Sequence, residues 1–262
     1  MSGLIHVAGT PFHVAVHGQG DPLLLVHGFP LDHTLWQENE AMLSSRFRVI
    51  MPDLRGFGQT SARPGTMTMA NFADDLQALL NALQVPGAIH VCGLSMGGYI
   101  AFAMQKRYPE RIKSMILCHT NPHTDAPEAA QRRHALADRA LTEGMVPIIE
   151  AFLPKVLPAD AAPFLVAKVR SMMERASPAG AAAALRGMAQ REDMNPRLAS
   201  INIPVLVLSG EKDTITPPAD MKNWAAALPK AQYQELTGVG HLSCVEQPEA
   251  FNRAVSTFLQ AT

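Results

Sequence analysis

No stretch of this chain stays apolar for the ~20 residues that a membrane-crossing helix requires, so no membrane span is expected. The N-terminal region lacks the basic start, apolar run and small-residue cleavage site that together mark a secretion signal. Charge of one sign is missing too. The 22 lysines and arginines offset 23 acids to a net −1, and the basic residues are scattered rather than clustered. A surface for nucleic acid or an anionic membrane is therefore not expected. Cysteine is scarce: Cys92, Cys118 and Cys244 are an odd number without CxxC spacing, and two of them lie in strand-like runs. Buried, inert thiols in a reducing cytoplasmic compartment are the expectation.

What is present is a chain of 262 residues, 47% hydrophobic, long enough for one large domain with an insertion. "LIHVA" (4–8) and "FHVAV" (12–16) flank Gly9-Thr10-Pro11 and read as an antiparallel hairpin. "LLLVHG" (23–28), "RVIMPD" (48–53), "AIHVCGLS" (88–95) and "SMILCHT" (114–120) are nearly continuous apolar runs, as in strands covered on both faces. Helical spacing fills 34–45, 71–83 and 97–108, with Asn71 placed to cap the second and Asp74 and Asp75 near its positive end. This alternation predicts a doubly wound α/β core over 1–120 and 197–262. Residues 121–196, rich in alanine and methionine and cut by Pro127, Pro147, Pro154, Pro158, Pro163 and Pro178 among others, predict short helices forming a cap. A helix near 218–228, a strand at 231–236 and a helix near 247–260 complete the core.

The chemistry centres on Gly93-Leu94-Ser95-Met96-Gly97, which follows a strand and opens a helix. In such a turn the residues two before and two after the serine crowd together, so glycine is needed at both, and Gly98 adds room against the sheet. A Gly-x-Ser-x-Gly pattern arises by chance on the order of 0.1 times in a chain of this length; the strand–turn–helix context is what gives it weight. Ser95 is the candidate nucleophile. A serine hydroxyl needs a base. Among the ten histidines, His13, His17 and His90 lie in or beside strands and His134 in a cap helix, whereas His241 sits in the glycine-bearing loop "GVGHLSCVEQPE" between the last strand and last helix. Asp213, directly after a strand in "GEKDTITPP", is the preferred acid to orient it, over Asp125 and Asp53. Asp53 and Arg55 in "DLRGFGQT" are expected to hold backbone in place. For the oxyanion hole, the amides of Met96 and of Phe29, in "HGFP", are the candidates. His119 and His123 read as loop residues; without an HExxH pattern neither a metal nor another cofactor is expected.

In this order, "HGFP", "DLRGFGQT", "GLSMGG", "GEKDTITPP" and "GVGHLSCVEQPE" resemble the motifs of the α/β-hydrolase family. The resemblance implies a mostly parallel eight-stranded sheet flanked by helices, with an inserted helical cap. It carries the roles of nucleophile, acid and base to Ser95, Asp213 and His241. Within the family the chain is similar to small bacterial esterases, enol-lactonases and cofactor-free haloperoxidase-like perhydrolases. Serine at position 95 argues against the dehalogenase and epoxide-hydrolase branches, which carry aspartate there. The expected function is hydrolysis of small to medium, largely apolar carboxylic esters through an acyl-enzyme. Lactonase or perhydrolase action on the same triad, and a triad-bearing small-molecule receptor, are the alternatives. Met145, Phe152, Phe164, Met172, Met173 and Met188 are the candidate substrate-binding residues, giving tolerance for varied apolar groups. The expected partner is a small ester or lactone; oligomeric state is not legible.

Overall fold

Side chains alternate across a strand, so a run that is apolar at every position must be buried on both faces. The computed structural model, which describes residues 2–7 and 9–262, has this arrangement. β1 (Ser2–Val7) and β2 (Thr10–His17) form the antiparallel hairpin; Ala8, the end of the expected first strand, lies outside the described residues. β3 (Pro22–Val26) leads through a 3₁₀ turn (His33–Trp36) into α1 (Gln37–Ser44) and β4 (Arg48–Pro52). α2 (Met69–Ala82), β5 (Ile89–Leu94), α3 (Met96–Arg107) and β6 (Ile112–Cys118) follow. Four helices then intervene: α4 (Pro127–Glu143), α5 (Val146–Val156), α6 (Pro163–Glu174) and α7 (Pro178–Ala189). The sheet resumes with β7 (Val205–Gly210), α8 (Pro218–Ala225), β8 (Ala231–Leu236), a single turn α9 (Ser243–Glu246) and α10 (Pro248–Gln260).

The eight strands lie in the order β1-β2-β4-β3-β5-β6-β7-β8, with β2 antiparallel to both neighbours and every other pairing parallel. Leu24, Val26, Val91, Leu117 and Val207 point into one core with Phe72 of α2, Phe102 of α3 and Trp224 of α8. Leu23, Leu25, Cys92, Ile116 and Leu208 point into the other, with Leu43 of α1 and Phe258 of α10. All three cysteines are buried and free; Cys92 and Cys118 Sγ lie 3.8 Å apart on adjacent strands.

Two local expectations change. The cap of α2 is Thr68, three residues before Asn71, and Asn71 instead completes a reciprocal capping box. Asp74 and Asp75, a turn and a half into the helix, pair with Arg107 and Arg55 and so serve tertiary contacts rather than the helix dipole. No helix among the described residues is long and apolar enough to cross a membrane.

Candidate active site

Each candidate catalytic residue follows the carboxyl end of a parallel strand, where the strand's direction changes and side chains become free. Ser95 joins β5 to α3 at φ +54°, ψ −114°, a conformation costly for a residue with a Cβ. Close packing keeps it there. A Cβ on Gly93 would overlap Gly97 O, and one on Gly97 would overlap Val26 O. At Gly98 an added Cβ would come within 2.5 Å of the Thr120 side chain. The Ser95 amide donates to Cys118 O (2.8 Å), and the Thr120 hydroxyl donates to Ser95 O (2.9 Å). Backbone strain at the serine is therefore balanced by contacts from three strands.

Asp213 follows β7 and is buried with both carboxylate oxygens occupied. Oδ1 accepts from the amides of Ile215 (2.8 Å) and Thr216 (3.0 Å). Oδ2 accepts from the Thr216 hydroxyl (2.6 Å), His241 Nδ1 (2.8 Å) and His119 Nδ1 (3.0 Å). Burial would raise this carboxyl, but the facing His241 and the bonds from both histidines outweigh it and hold Asp213 far below the usual carboxylate range. With its Nδ1–H given to Asp213, His241 keeps Nε2 as the acceptor a general base needs. The Ser95 hydroxyl makes no hydrogen bond to any described residue; it and His241 face one cavity of about 40 Å³.

His119, read from sequence as a loop residue, is wholly buried against the acid. Its Nδ1–H is given to Asp213, so its Nε2 accepts from the Ser243 hydroxyl (2.7 Å). Burial pushes its pKa down against the pull of Asp213, which keeps it neutral. A histidine at φ +48° immediately after β6 is visible only once strands β6 and β7 are paired. Two histidines and one carboxylate also have the composition of a metal set, but both carboxylate oxygens of Asp213 are taken by five hydrogen-bond donors.

Of the oxyanion candidates, Met96 supplies the first N–H of α3, which has no partner inside the helix. Phe29 lies in the loop after β3, and its amide is bonded to no described residue. His27 fixes that loop: its Nδ1 donates to Gly28 O (2.9 Å) and its Nε2 accepts the Leu54 amide (3.0 Å). Burial lowers its pKa, so it stays neutral. Asp53 accepts the amides of His33 and Gln59 (both 2.8 Å) and so does hold backbone. Arg55 does not: its guanidinium goes to the side chains of Asp75 and Thr10. Asp125, the rival acid, pairs with Arg133 and Arg191, and no hydrogen bond or ion pair joins it to a histidine among the described residues.

The structure divides the six apolar candidates. Phe152 of α5 and Met188 of α7 line the cavity. Phe164 does not: it is 70% exposed at the start of α6. Met172 and Met173, on the opposite end of α6, are buried in the core rather than at the cavity, and Met145 packs against the core beside α5. Helical spacing identifies an apolar face without revealing what that face covers. Tyr99, Arg133, Val156 and Ile215, which sequence reasoning passed over, complete the wall together with the Phe29 ring.

Comparison with known proteins agrees with this fold. A family model described as alpha/beta hydrolase fold matches residues 21–143 and 163–248. The chain is 30% identical to 3-oxoadipate enol-lactonase 2 of Acinetobacter baylyi over 94% of this chain and 92% of that one. A thermophilic esterase from Thermogutta terrifontis, solved with malate bound, is 40% identical with a TM-score of 0.96, covering 100% of this chain and 98% of that one. The enol-lactonase from Burkholderia xenovorans LB400 is 31% identical with a TM-score of 0.91 over 98% and 99% of the two chains.

Proposed function

The chain belongs to the α/β-hydrolase family, and from that premise we propose that it is a serine hydrolase cleaving small carboxylic esters or lactones through an acyl-enzyme. The observation that carries the reading is that His241, bonded to Asp213 through Nδ1, faces the same cavity as Ser95. His241 Nε2 takes the hydroxyl proton as Ser95 Oγ attacks the carbonyl carbon. The amides of Phe29 and Met96 receive the oxyanion. As the intermediate collapses, His241 returns the proton to the leaving alkoxide, which departs as an alcohol, or stays tethered to the acyl group when the substrate is a lactone. Water then gives a proton to His241 and attacks the acyl-enzyme; the acid leaves and Ser95 regains its proton. Residues 121–196 act as the cap, since α4, α5 and α7 each contribute a side chain to the cavity wall. Relatives include both an esterase and enol-lactonases, which supports admitting both substrate types. The free cysteines suit a reducing compartment such as the cytoplasm.

An ester and lactone panel tests the reading. Ser95→Ala is expected to reduce kcat/KM by about 10³-fold or more, because triad members act as a unit. Turnover near the parent level in that variant would overturn the assignment.

A further inference from the structure

Arg133 is the single permanently charged side chain among the described residues that line the Ser95–His241 cavity; its neighbours there include Phe29, Phe152, Val156, Met188 and Ile215. It projects from α4. Its Nε donates to Asp125 Oδ2 at 2.5 Å, while Nη2 reaches Asp125 Oδ1 only at 3.5 Å. Nη1 has no oxygen partner among the described residues and lies 3.6 Å from Sδ, a weak acceptor, of the cavity-lining Met188. A guanidinium carries five donors, so several of them go without a good acceptor.

Asp125 does not neutralise Arg133 alone. Arg191 Nη1 stands 2.7 Å from Asp125 Oδ1, and Arg191 also donates to the carbonyls of His123 (2.8 Å) and Met188 (3.0 Å). Two cations thus share one carboxylate and leave one positive charge unbalanced. Of the other acids in 121–196, Asp138 pairs with Arg186, Glu143 with Arg139, Glu174 with Arg170, Glu192 with Lys106 and Asp160 with Lys212, and no ion pair among the described residues joins Glu128, Glu150 or Asp193 to Arg133. Asp213, buried behind the lining residue His241, is committed to His241 and His119. A cation whose side chain is only 20% exposed, set among largely apolar walls, gains from an anion that completes it.

We propose that Arg133 binds a free carboxylate on the substrate, so that the preferred ester or lactone is anionic: a half-ester of a dicarboxylic acid, or a lactone bearing an acid side chain. This rests on Ser95 being the nucleophile, and it replaces the expectation of largely apolar substrates. The charge-assisted bond from a planar guanidinium fixes direction as well as affinity, and apolar walls around it seat the carbon chain between the two ends.

Binding measured without turnover separates this proposal from the reaction itself. In the Ser95→Ala background, monomethyl succinate and methyl butyrate form a matched pair in which a carboxylate replaces a methyl group. Titration by calorimetry or NMR is expected to give at least a 10-fold tighter Kd for monomethyl succinate. Arg133→Gln in that background should abolish the preference, and Arg133→Lys should restore part of it. Equal affinity for the two esters in Ser95→Ala overturns the proposal, whatever the folding of the second variant. A preference undiminished in a folded Arg133→Gln, checked by its Tm, overturns it too. Were Arg133 only a tie between α4 and Asp125, its loss would weaken both ligands alike, which also counts against the proposal. Failure of the serine-hydrolase reading would show separately, as turnover that survives Ser95→Ala.

Discussion

Glu246 illustrates how a single side chain sets the position of another. Its Oε2 accepts the Gly240 amide at 2.7 Å and its Oε1 the Leu242 amide at 2.9 Å, so the carboxylate brackets His241 on both sides. Burial raises its pKa, against the lowering effect of those two amides. Glu246→Gln keeps the shape but turns one acceptor into an N–H donor facing an amide. We expect kcat to fall about 10-fold, roughly 1.4 kcal/mol of barrier, with KM little changed. An unaltered kcat would show that the loop is held by other means. His119 acts on the opposite side of the acid and owes its place to long-range pairing, with 94 residues separating it from Asp213.

At the scale of elements, α7 matters most because it is fixed to the core backbone rather than resting on side chains. A Cβ on Gly180 would come within 2.4 Å of Gly56 Cα, and one on Gly187 would overlap Met67 O. The Met67 amide donates to Ala183 O (3.0 Å) and the Ser177 amide to Gly56 O (3.0 Å). This contact explains the buried alanine run 181–184: only small side chains allow the helix so near the loop. Gly187→Ala forces α7 outward, and Met188, the next residue, lines the cavity. Overpacking of this kind costs about 1–3 kcal/mol, which for a chain this size lowers Tm by several degrees at ~2–4 °C per kcal/mol. Calorimetry should record that loss and kinetics a reduced kcat/KM; a variant with unchanged Tm would mean that the helix yields freely.

For the whole molecule, acidity is the weak direction. His90, on β5, is buried, and burial together with Lys113 lowers its pKa to about 4. An unfolded histidine titrates near ~6.5, so between these values the unfolded chain binds the proton that the folded chain refuses. Stability from this group is present above ~6.5 and is lost as pH falls toward 4. The loss is on the order of 1.4 kcal/mol per pH unit at most. Asp213, Asp53 and Asp125 have the same sign at lower pH: burial raises each, their cationic or hydrogen-bonding partners outweigh it, and their contribution fades as they protonate. Urea unfolding at pH 7, 5.5 and 4 should show falling stability, and His90→Gln should flatten the fall in that interval. A parent protein equally stable at pH 7 and pH 4 would contradict the linkage.

Local sequence determined the strands, the helical character of residues 121–196 (though not its division into four helices) and the turn at Ser95, because apolar periodicity and steric crowding at glycine act within a few residues. The motif order was enough to mark Ser95, Asp213 and His241 as candidates, since each follows a legible strand. Tertiary structure alone decided that His119 shares Asp213, that Arg133 faces the cavity and that Phe164 faces solvent. Period and composition show that a helix has an apolar face, but the direction of that face depends on how helices pack against partners far away in the chain.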